Sequence, residues 1–182
     1  MMLLSKRRGF DSRYRSYRGA WRKMVFMRPP FDPVEPRRVA PGEYPLWDQA
    51  LALLNRDLAA TLPEQEPLRL LALPPYDADG PENVYVALAN GEWHGNSLDP
   101  ESQDNLDAAL ATVADAAQET VAERLWQAWP LCAAHDLGMH PKDADGRLSW
   151  WCVGERLRGG PAHVRAAVGA LDTLRQSRRT RS

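Results

Sequence analysis

The chain has 182 residues, a formal net charge of −1, 44% hydrophobic residues and only two cysteines. This composition suits one domain of ordinary size that can bury a core, and it excludes a disulfide scaffold. It also excludes a membrane span, because no apolar run reaches the ~18 residues that a crossing needs. The N-terminus lacks the apolar stretch of a secretion signal. We therefore expect a cytoplasmic protein with reduced thiols and no membrane partner.

Positive charge is concentrated at the start of the chain. Residues 1–40 hold 11 Lys or Arg and 3 Asp or Glu, whereas residues 41–160 hold 7 and 20. Residues 1–42 mix arginines, aromatic residues and prolines without helical or strand periodicity. We expect a flexible basic arm over 1–42, one domain over 43–176 and a basic tail over 177–182. Arginines that pair with phosphates and rings that stack on bases could let this arm bind nucleic acid.

The first predicted elements are a helix and short strands. Apolar residues at three- and four-residue spacing predict a helix over Glu43–Thr61. A nearly continuous apolar run predicts a buried strand at Leu68–Leu73. Two strand-like segments within Val84–Asn96 flank Asn90-Gly91, a pair that is typical of a hairpin with a type I′ turn.

The second half predicts the longest helix, a second hairpin and a last helix. Asp99-Pro100 is a typical helix start, and Pro130 ends the helix. Asp145-Gly146 predicts the turn of a hairpin whose last strand ends at Val153. An apolar stripe predicts a helix over Ala162–Arg175. The fold class is therefore α+β, in which a small antiparallel sheet with a hairpin packs on two long helices, and a C-terminal hairpin and helix close the domain.

Both cysteines and three of the four histidines lie within a 32-residue stretch. Four Cys or His side chains are the usual tetrahedral ligands of a structural zinc ion. Cys132-x-x-His135 could form one half of such a site, and the hairpin would return Cys152 toward it. His140 would supply the fourth ligand, with His163 as the alternative. A regular zinc ribbon has a second paired ligand near its last cysteine, so this hairpin is degenerate and zinc-ribbon-like, with Zn2+ as the candidate cofactor.

Other interpretations of these residues stay open. The cysteines could be buried thiols that pack beside tryptophans, or they could form a disulfide. A cysteine enzyme is disfavoured, because Cys132 follows a helix C-terminus and Cys152 lies within a predicted strand. The sequence contains no Gly-x-Ser-x-Gly, P-loop or His-Glu-x-x-His motif.

Polar and aromatic residues near the cysteines could also line a site. His94 and Asn96, near the tip of the first hairpin, could line a pocket, but we expect them to be ordinary exposed residues. Four tryptophans frame the Cys/His segment, and we expect them to cover the core between the long helix and the second hairpin. These are Trp126, Trp129, Trp150 and Trp151.

Residues 45–175 resemble a group of short, uncharacterised proteins of high-GC Gram-positive (actinobacterial) type. Their pattern is Trp-Pro at the end of a long helix, Cys-Pro-x-His, His-Pro, an Asp-Gly turn and Trp-x-Cys-Pro before an amphipathic helix. This chain replaces the proline after each cysteine with Ala133 and Val153. The resemblance implies no activity. The matching positions are Gly91–Asn96, Trp129-Pro130, Cys132-x-x-His135, His140-Pro141, Asp145-Gly146 and Trp151-Cys152.

The sequence favours a non-enzymatic binding or accessory protein with a structural zinc site over an enzyme. The alternative is a nucleic-acid-associated protein that acts through the basic arm at residues 1–42. The sequence identifies no partner. A protein partner would suit the first function, and nucleic acid would suit the second.

Overall fold

A computed structural model describes residues 35–75, 79–154 and 160–173 of the chain. All of these residues belong to one compact unit, which lies within Val34–Ser182.

The predicted arm and tail fall largely outside the described residues. Of residues 1–42 only 35–42 are described, and none of residues 177–182 is. The described part of the arm belongs to the fold, because Arg37–Arg38 forms the first strand, β1. The Arg37 guanidinium also forms ion pairs with Glu43 and Glu82. The fold thus begins before residue 43.

The described residues form an α+β fold in which helices combine with three small antiparallel sheets. The sheets have the strand orders β1-β2-β3, β4-β5 and β6-β7-β8. The helices are α1 (Pro45–Thr61), a 3-10 helix (Pro100–Asp104) and α2 (Leu106–Leu125). The strands after β1 are β2 (Arg69–Leu73), β3 (Asn83–Ala87), β4 (Leu131–Cys132), β5 (Leu137–Gly138), β6 (His140–Ala144), β7 (Arg147–Cys152) and β8 (His163–Ala167).

The core lies between the two α-helices and the first sheet. In that sheet Leu70 pairs with Val86 and Ala72 with Val84, so all four side chains share one face. This face is buried against the helices, as the apolar spacing of α1 and the strand at β2 predict. The largest fully buried side chains include Trp47, Leu54, Leu58, Val84, Val86, Val113, Val121, Met139 and Trp150.

A buried carboxylate joins α1 to the C-terminal part of the fold. Asp57 is fully buried, and its Oδ2 accepts hydrogen bonds from Trp150 Nε1 and the Gly169 N–H, both at 2.6 Å. Its Oδ1 accepts from the Leu171 N–H at 2.8 Å. Burial raises the pKa of Asp57, although these three donors act in the opposite direction. The carboxylate therefore satisfies three N–H groups that the core would otherwise leave unpaired.

The long helix predicted from Asp99 to Pro130 is shorter and interrupted. Asp99 caps the 3-10 helix by accepting from a backbone N–H at 3.0 Å. Asn105 then takes an extended conformation (φ −155°), and its side chain caps α2 by accepting from a backbone N–H at 2.9 Å. The helix ends at Leu125, because Trp126 takes the left-handed conformation (φ 53°). Asn105 breaks the helix because its side chain competes for helical N–H groups.

The prediction of a type I′ turn at Asn90-Gly91 was wrong. The Gly91 N–H donates to Leu88 O at 2.9 Å, and the Leu88 N–H donates to Glu92 O at 2.8 Å. The loop therefore contains three residues, and of the pair only Gly91 has a positive φ (92°). Asn90 instead uses its side chain, which accepts from the Glu92 N–H at 3.0 Å.

The second arm of that hairpin also differs from the prediction. Beyond the turn, a single bridge joins Ala87 to Trp93, and no strand follows in the described residues of this loop. The third strand of the sheet is β1, which pairs with β2 on the side away from β3. The edge of β3 that the hairpin was expected to fill thus carries only this bridge among the described residues, and β1 lies at the opposite edge of the sheet.

The turn predicted at Asp145-Gly146 is confirmed. Asp145 (φ 56°) and Gly146 (φ 75°) both have positive φ, as a type I′ hairpin turn requires. Ala144 lies opposite Arg147, so the loop holds only these two residues. The strands β6 and β7 pair over five residue positions on each side of it.

The helix predicted over Ala162–Arg175 is replaced at its start by a strand. His163–Ala167 forms β8, which pairs antiparallel with β7. Gly169 (φ 83°) turns the chain, and residues 171–173 are helical. Pairing with β7 outweighs the local helical pattern because β8 satisfies the backbone groups along an otherwise open sheet edge. This strand brings His163 directly opposite Cys152.

Candidate metal centre

A tight turn between β4 and β5 carries the first two candidate ligands. Cys132 is the last residue of β4, and its carbonyl accepts from the N–H of His135 at 3.2 Å and of Asp136 at 2.8 Å. Asp136 has a positive φ (55°), which reverses the chain before β5 starts at Leu137. The turn therefore places the side chains of Cys132 and His135 close together.

The neighbouring sheet supplies the other two candidate ligands. Cys152 ends β7, and His163 begins β8 as its cross-strand partner. Both cysteine side chains are fully buried, and both histidines are half-buried. The turn at Asp145-Gly146 thus returns the second cysteine toward the first, as the sequence predicts.

Three distances define the cluster. Cys132 Sγ lies 3.7 Å from His135 Nδ1 and 3.6 Å from His163 Nε2, and Cys152 Sγ lies 3.4 Å from the same His135 Nδ1. One ligand atom from each of Cys132, His135 and His163 lies within 4.8 Å of the others. With Zn–S near 2.3 Å and Zn–N near 2.05 Å, neighbouring sulfur and nitrogen ligands of a tetrahedral zinc ion are separated by about 3.6 Å. The observed spacing therefore fits ligands that surround one ion.

A backbone carbonyl orients the His163 ring. His163 Nδ1 lies 3.3 Å from Pro161 O, which can only accept a hydrogen bond. This contact favours the tautomer with the proton on Nδ1, and it leaves the Nε2 lone pair directed at Cys132. Metal-binding histidines commonly use a carbonyl in this way, so the arrangement suits a ligand.

Backbone N–H groups surround the two sulfur atoms. Burial alone would raise the pKa of the Cys132 thiol, but the N–H groups of Ala134 and His135, together with the Cys152 and His135 side chains, lower it to about 6. Burial raises the pKa of Cys152, despite a hydrogen bond from the Gly154 N–H at 3.5 Å. One thiolate is therefore stabilised by the protein, and a second needs a nearby positive charge such as a metal ion.

The structure places His140 apart from this cluster. His140 begins β6 opposite Trp151, and its exposed side chain lines a cavity of about 700 Å³. His163, the alternative in the sequence analysis, is the histidine that lies beside Cys132. Of the five residues considered as ligands, the structure thus brings Cys132, His135 and His163 together, with Cys152 Sγ beside His135 Nδ1.

The cavity beside His140 also accounts for two residues of the first hairpin. His94 and Asn96, which we expected to be ordinary exposed residues, line it together with three carboxylates of α2. These carboxylates belong to Asp115, Glu119 and Glu123. Because these three residues are four positions apart in the sequence, their spacing could have shown that they share one face of the helix.

Two of the four tryptophans cover the core as predicted. Trp129 and Trp150 are buried and meet edge to face, with ring centroids 5.6 Å apart. Trp126 does not cover the core, because its left-handed backbone at the end of α2 leaves the side chain 86% exposed. Trp151 is half-buried, and the Lys142 ammonium lies over its ring at 4.6 Å.

Comparisons with protein-family models, curated proteins and solved structures give no significant match to this chain. The resemblance to actinobacterial-type proteins therefore stays a prediction. The described helices include none with both the length and the apolar character needed to cross a bilayer. The predicted nucleic-acid site in the basic arm lies almost wholly outside the described residues, so it also stays a prediction.

Proposed function

We propose that this chain is a non-enzymatic binding or accessory protein that holds one structural zinc ion. The ligands would be Cys132, His135, Cys152 and His163. The observation that supports this most strongly is the set of sulfur–nitrogen distances of 3.4, 3.6 and 3.7 Å, which match the edges of a tetrahedral zinc site. Thiolate and imidazole ligands suit zinc, whereas calcium and magnesium prefer oxygen ligands.

A structural role suits this site better than catalysis. Four protein ligands complete a tetrahedral zinc ion and leave no position for a substrate or a reactive water. Both sulfur atoms are fully buried, so neither is presented as a nucleophile to a large substrate. The strands β4 and β5 have only two residues each, and a metal ion would fix this turn against the longer strands β7 and β8.

Elemental analysis tests the proposal directly. Protein purified without chelator is expected to contain about one zinc per chain, as a four-ligand site requires. Cys132→Ser removes a sulfur ligand, so this variant is expected to lose the zinc and to melt at a lower temperature. Wild-type protein without zinc, or equal zinc in the variant, would refute a structural site at Cys132.

A glycine substitution tests whether the backbone near Cys152 positions the ligands. Gly154 has φ +71°, and a Cβ there would lie 2.6 Å from both Gly160 O and Pro161 C. These are backbone atoms of the segment that leads to His163, and they cannot rotate away. Gly154→Ala is therefore expected to weaken zinc binding by about fivefold to a hundredfold, as strain of ~1–3 kcal/mol would produce.

Gly146→Ala is the matched control for this substitution. Gly146 also has a positive φ (+75°), but no atom lies within 4 Å of an added Cβ. It therefore introduces the same kind of backbone strain without the clash, and zinc affinity should stay unchanged. Competition with a chromophoric chelator measures both affinities. Equal affinities for the two variants would contradict a role for Gly154 in positioning the ligands.

A further inference from the structure

We propose that the candidate metal centre is also an oxidisable dithiol, in which Cys132 and Cys152 form an intramolecular disulfide when no metal is bound. Metal binding and disulfide formation would then exclude each other. The exclusion rests on the proposed zinc site, whereas the disulfide rests only on the placement of the two sulfur atoms. The reactive species would be hydrogen peroxide, a two-electron oxidant small enough to reach buried sulfur.

The geometry brings the two sulfur atoms together from different sheets. Both lie beside the same nitrogen, His135 Nδ1, at 3.7 Å for Cys132 and 3.4 Å for Cys152. The two thiols are also close enough that each changes the pKa of the other. A disulfide requires the sulfur atoms to approach to about 2.05 Å. Since β4 has only two residues, a shift of the short β4–β5 turn can supply this movement without breaking β7.

The described residues offer these thiols no other cysteine partner. The sequence contains only two cysteines, both of which are described and free in the structure. Both are fully buried, which hinders linkage between two chains. Oxidation of cysteine within one chain can therefore have only two products. It joins Cys132 to Cys152, or it adds oxygen to one of them.

The reaction balances with one peroxide for each disulfide. The Cys132 sulfur attacks a peroxide oxygen, so that an S–O bond forms as the O–O bond breaks, and the departing hydroxide leaves as water with the thiol proton. The Cys152 sulfur then attacks the Cys132 sulfur. The S–S bond forms as the S–O bond breaks, and the departing hydroxide takes the Cys152 thiol proton and leaves as the second water. Two thiols are oxidised, and one peroxide is reduced to two waters.

A metal ion and a disulfide cannot share this site, because both use the same sulfur electrons. Zinc binds cysteine as the thiolate, and a thiolate engaged with zinc is a weaker nucleophile toward peroxide than a free one. After oxidation only the imidazoles of His135 and His163 remain as ligands. Two ligands do not hold a structural zinc ion, so oxidation would release the metal and reduction would restore binding.

The experiment oxidises zinc-free and zinc-loaded full-length protein with hydrogen peroxide. In zinc-free protein the intact mass is expected to fall by two hydrogens, the chain to stay monomeric on a non-reducing gel, and digestion to give a peptide pair linked through Cys132 and Cys152. Zinc-loaded protein should react several times more slowly and release zinc in step with the disulfide. Reductant should restore zinc binding.

Control variants and contrary outcomes separate this proposal from the zinc site. Cys152→Ser is expected to gain oxygen on Cys132 instead of a cross-link. Wild-type protein that gains oxygen or forms only linked dimers would overturn the dithiol, even if it binds zinc. A disulfide in a protein that binds no zinc would support the dithiol and refute the zinc site. Equal oxidation rates with and without bound zinc would overturn mutual exclusion.

Discussion

Asp57→Ala is expected to lower the free energy of unfolding by about 3–5 kcal/mol, because it removes the acceptor of three buried N–H donors. Each unsatisfied buried N–H costs ~1–3 kcal/mol, and part of this loss is offset because a buried carboxylate no longer has to be desolvated. Urea unfolding followed by tryptophan fluorescence measures the change. The fluorescence reports on the same region, since Trp150 is one of the donors.

Asp107→Ala is the control for that measurement. Asp107 is exposed in the first turn of α2, where a carboxylate contributes only ~0.3–1 kcal/mol through the helix dipole. A loss below about 1 kcal/mol for Asp57→Ala would contradict the expectation. It would show that the cost of burying the Asp57 charge nearly cancels its hydrogen bonds.

The raised pKa of Asp57 also predicts how this contribution changes with pH. Because the pKa is raised in the folded state, the folded protein binds a proton at Asp57 more tightly than the unfolded chain does. The resulting stabilisation is fully present below the unfolded pKa of about 3.9, and it is lost as the pH rises through the folded pKa. The advantage of the wild type over Asp57→Asn should therefore shrink as the pH rises. An advantage that grows with pH would show a lowered pKa instead.

His163→Ala is expected to abolish stoichiometric zinc binding and to lower stability to that of the metal-free protein. At a free zinc concentration of 1,000 times the dissociation constant, the loss would be about 4 kcal/mol. Thermal unfolding with and without chelator, together with elemental analysis, measures both effects. In the variant the chelator should no longer change the melting temperature.

His140→Ala is the matched control, since it removes a histidine that sequence spacing alone made the first choice as fourth ligand. The His140 side chain lines the separate cavity, so this variant should keep its zinc and its response to chelator. Loss of zinc in His140→Ala with retention in His163→Ala would contradict the proposed ligand set. It would support the set that we predicted from spacing instead.

Local signals predicted those elements whose tertiary partners agree with them. The apolar spacing of α1 favours a helix and the apolar run at β2 favours a strand, and both elements bury these residues in the core. The two Xaa-Gly pairs, by contrast, have similar local sequences but form different turns. Asp145-Gly146 takes positive φ at both residues between two well-paired strands, whereas Asn90-Gly91 has almost no pairing beyond it and forms a different turn. The type of turn therefore depends on whether the flanking strands pair, and the two turn residues do not specify that pairing.

The sequence analysis ranked His163 behind His140 for a related reason. The apolar stripe that runs from Val164 suggests a helix, but Gly160-Pro161 and Gly169 bound a segment that is short for one. Its length was the signal that could have favoured a strand. Only the open edge of β7, a tertiary feature, settles the choice and places His163 beside the cysteines.

The link from Asp57 to Trp150 bears on what a bound ion would connect. Trp150 and Cys152 lie on the same face of β7, two residues apart, so the first holds the second in place from within the core. Cys152 and His163 are thus preorganised before any ion arrives. The turn with Cys132 and His135 is tied to α2 instead, because Gln118 Nε2 donates to Trp129 O and Met139 O on either side of it, both at 2.7 Å. The two halves of the site are therefore fastened to different elements of the core, so an ion that bound all four side chains would link α1 to α2 through the small sheets.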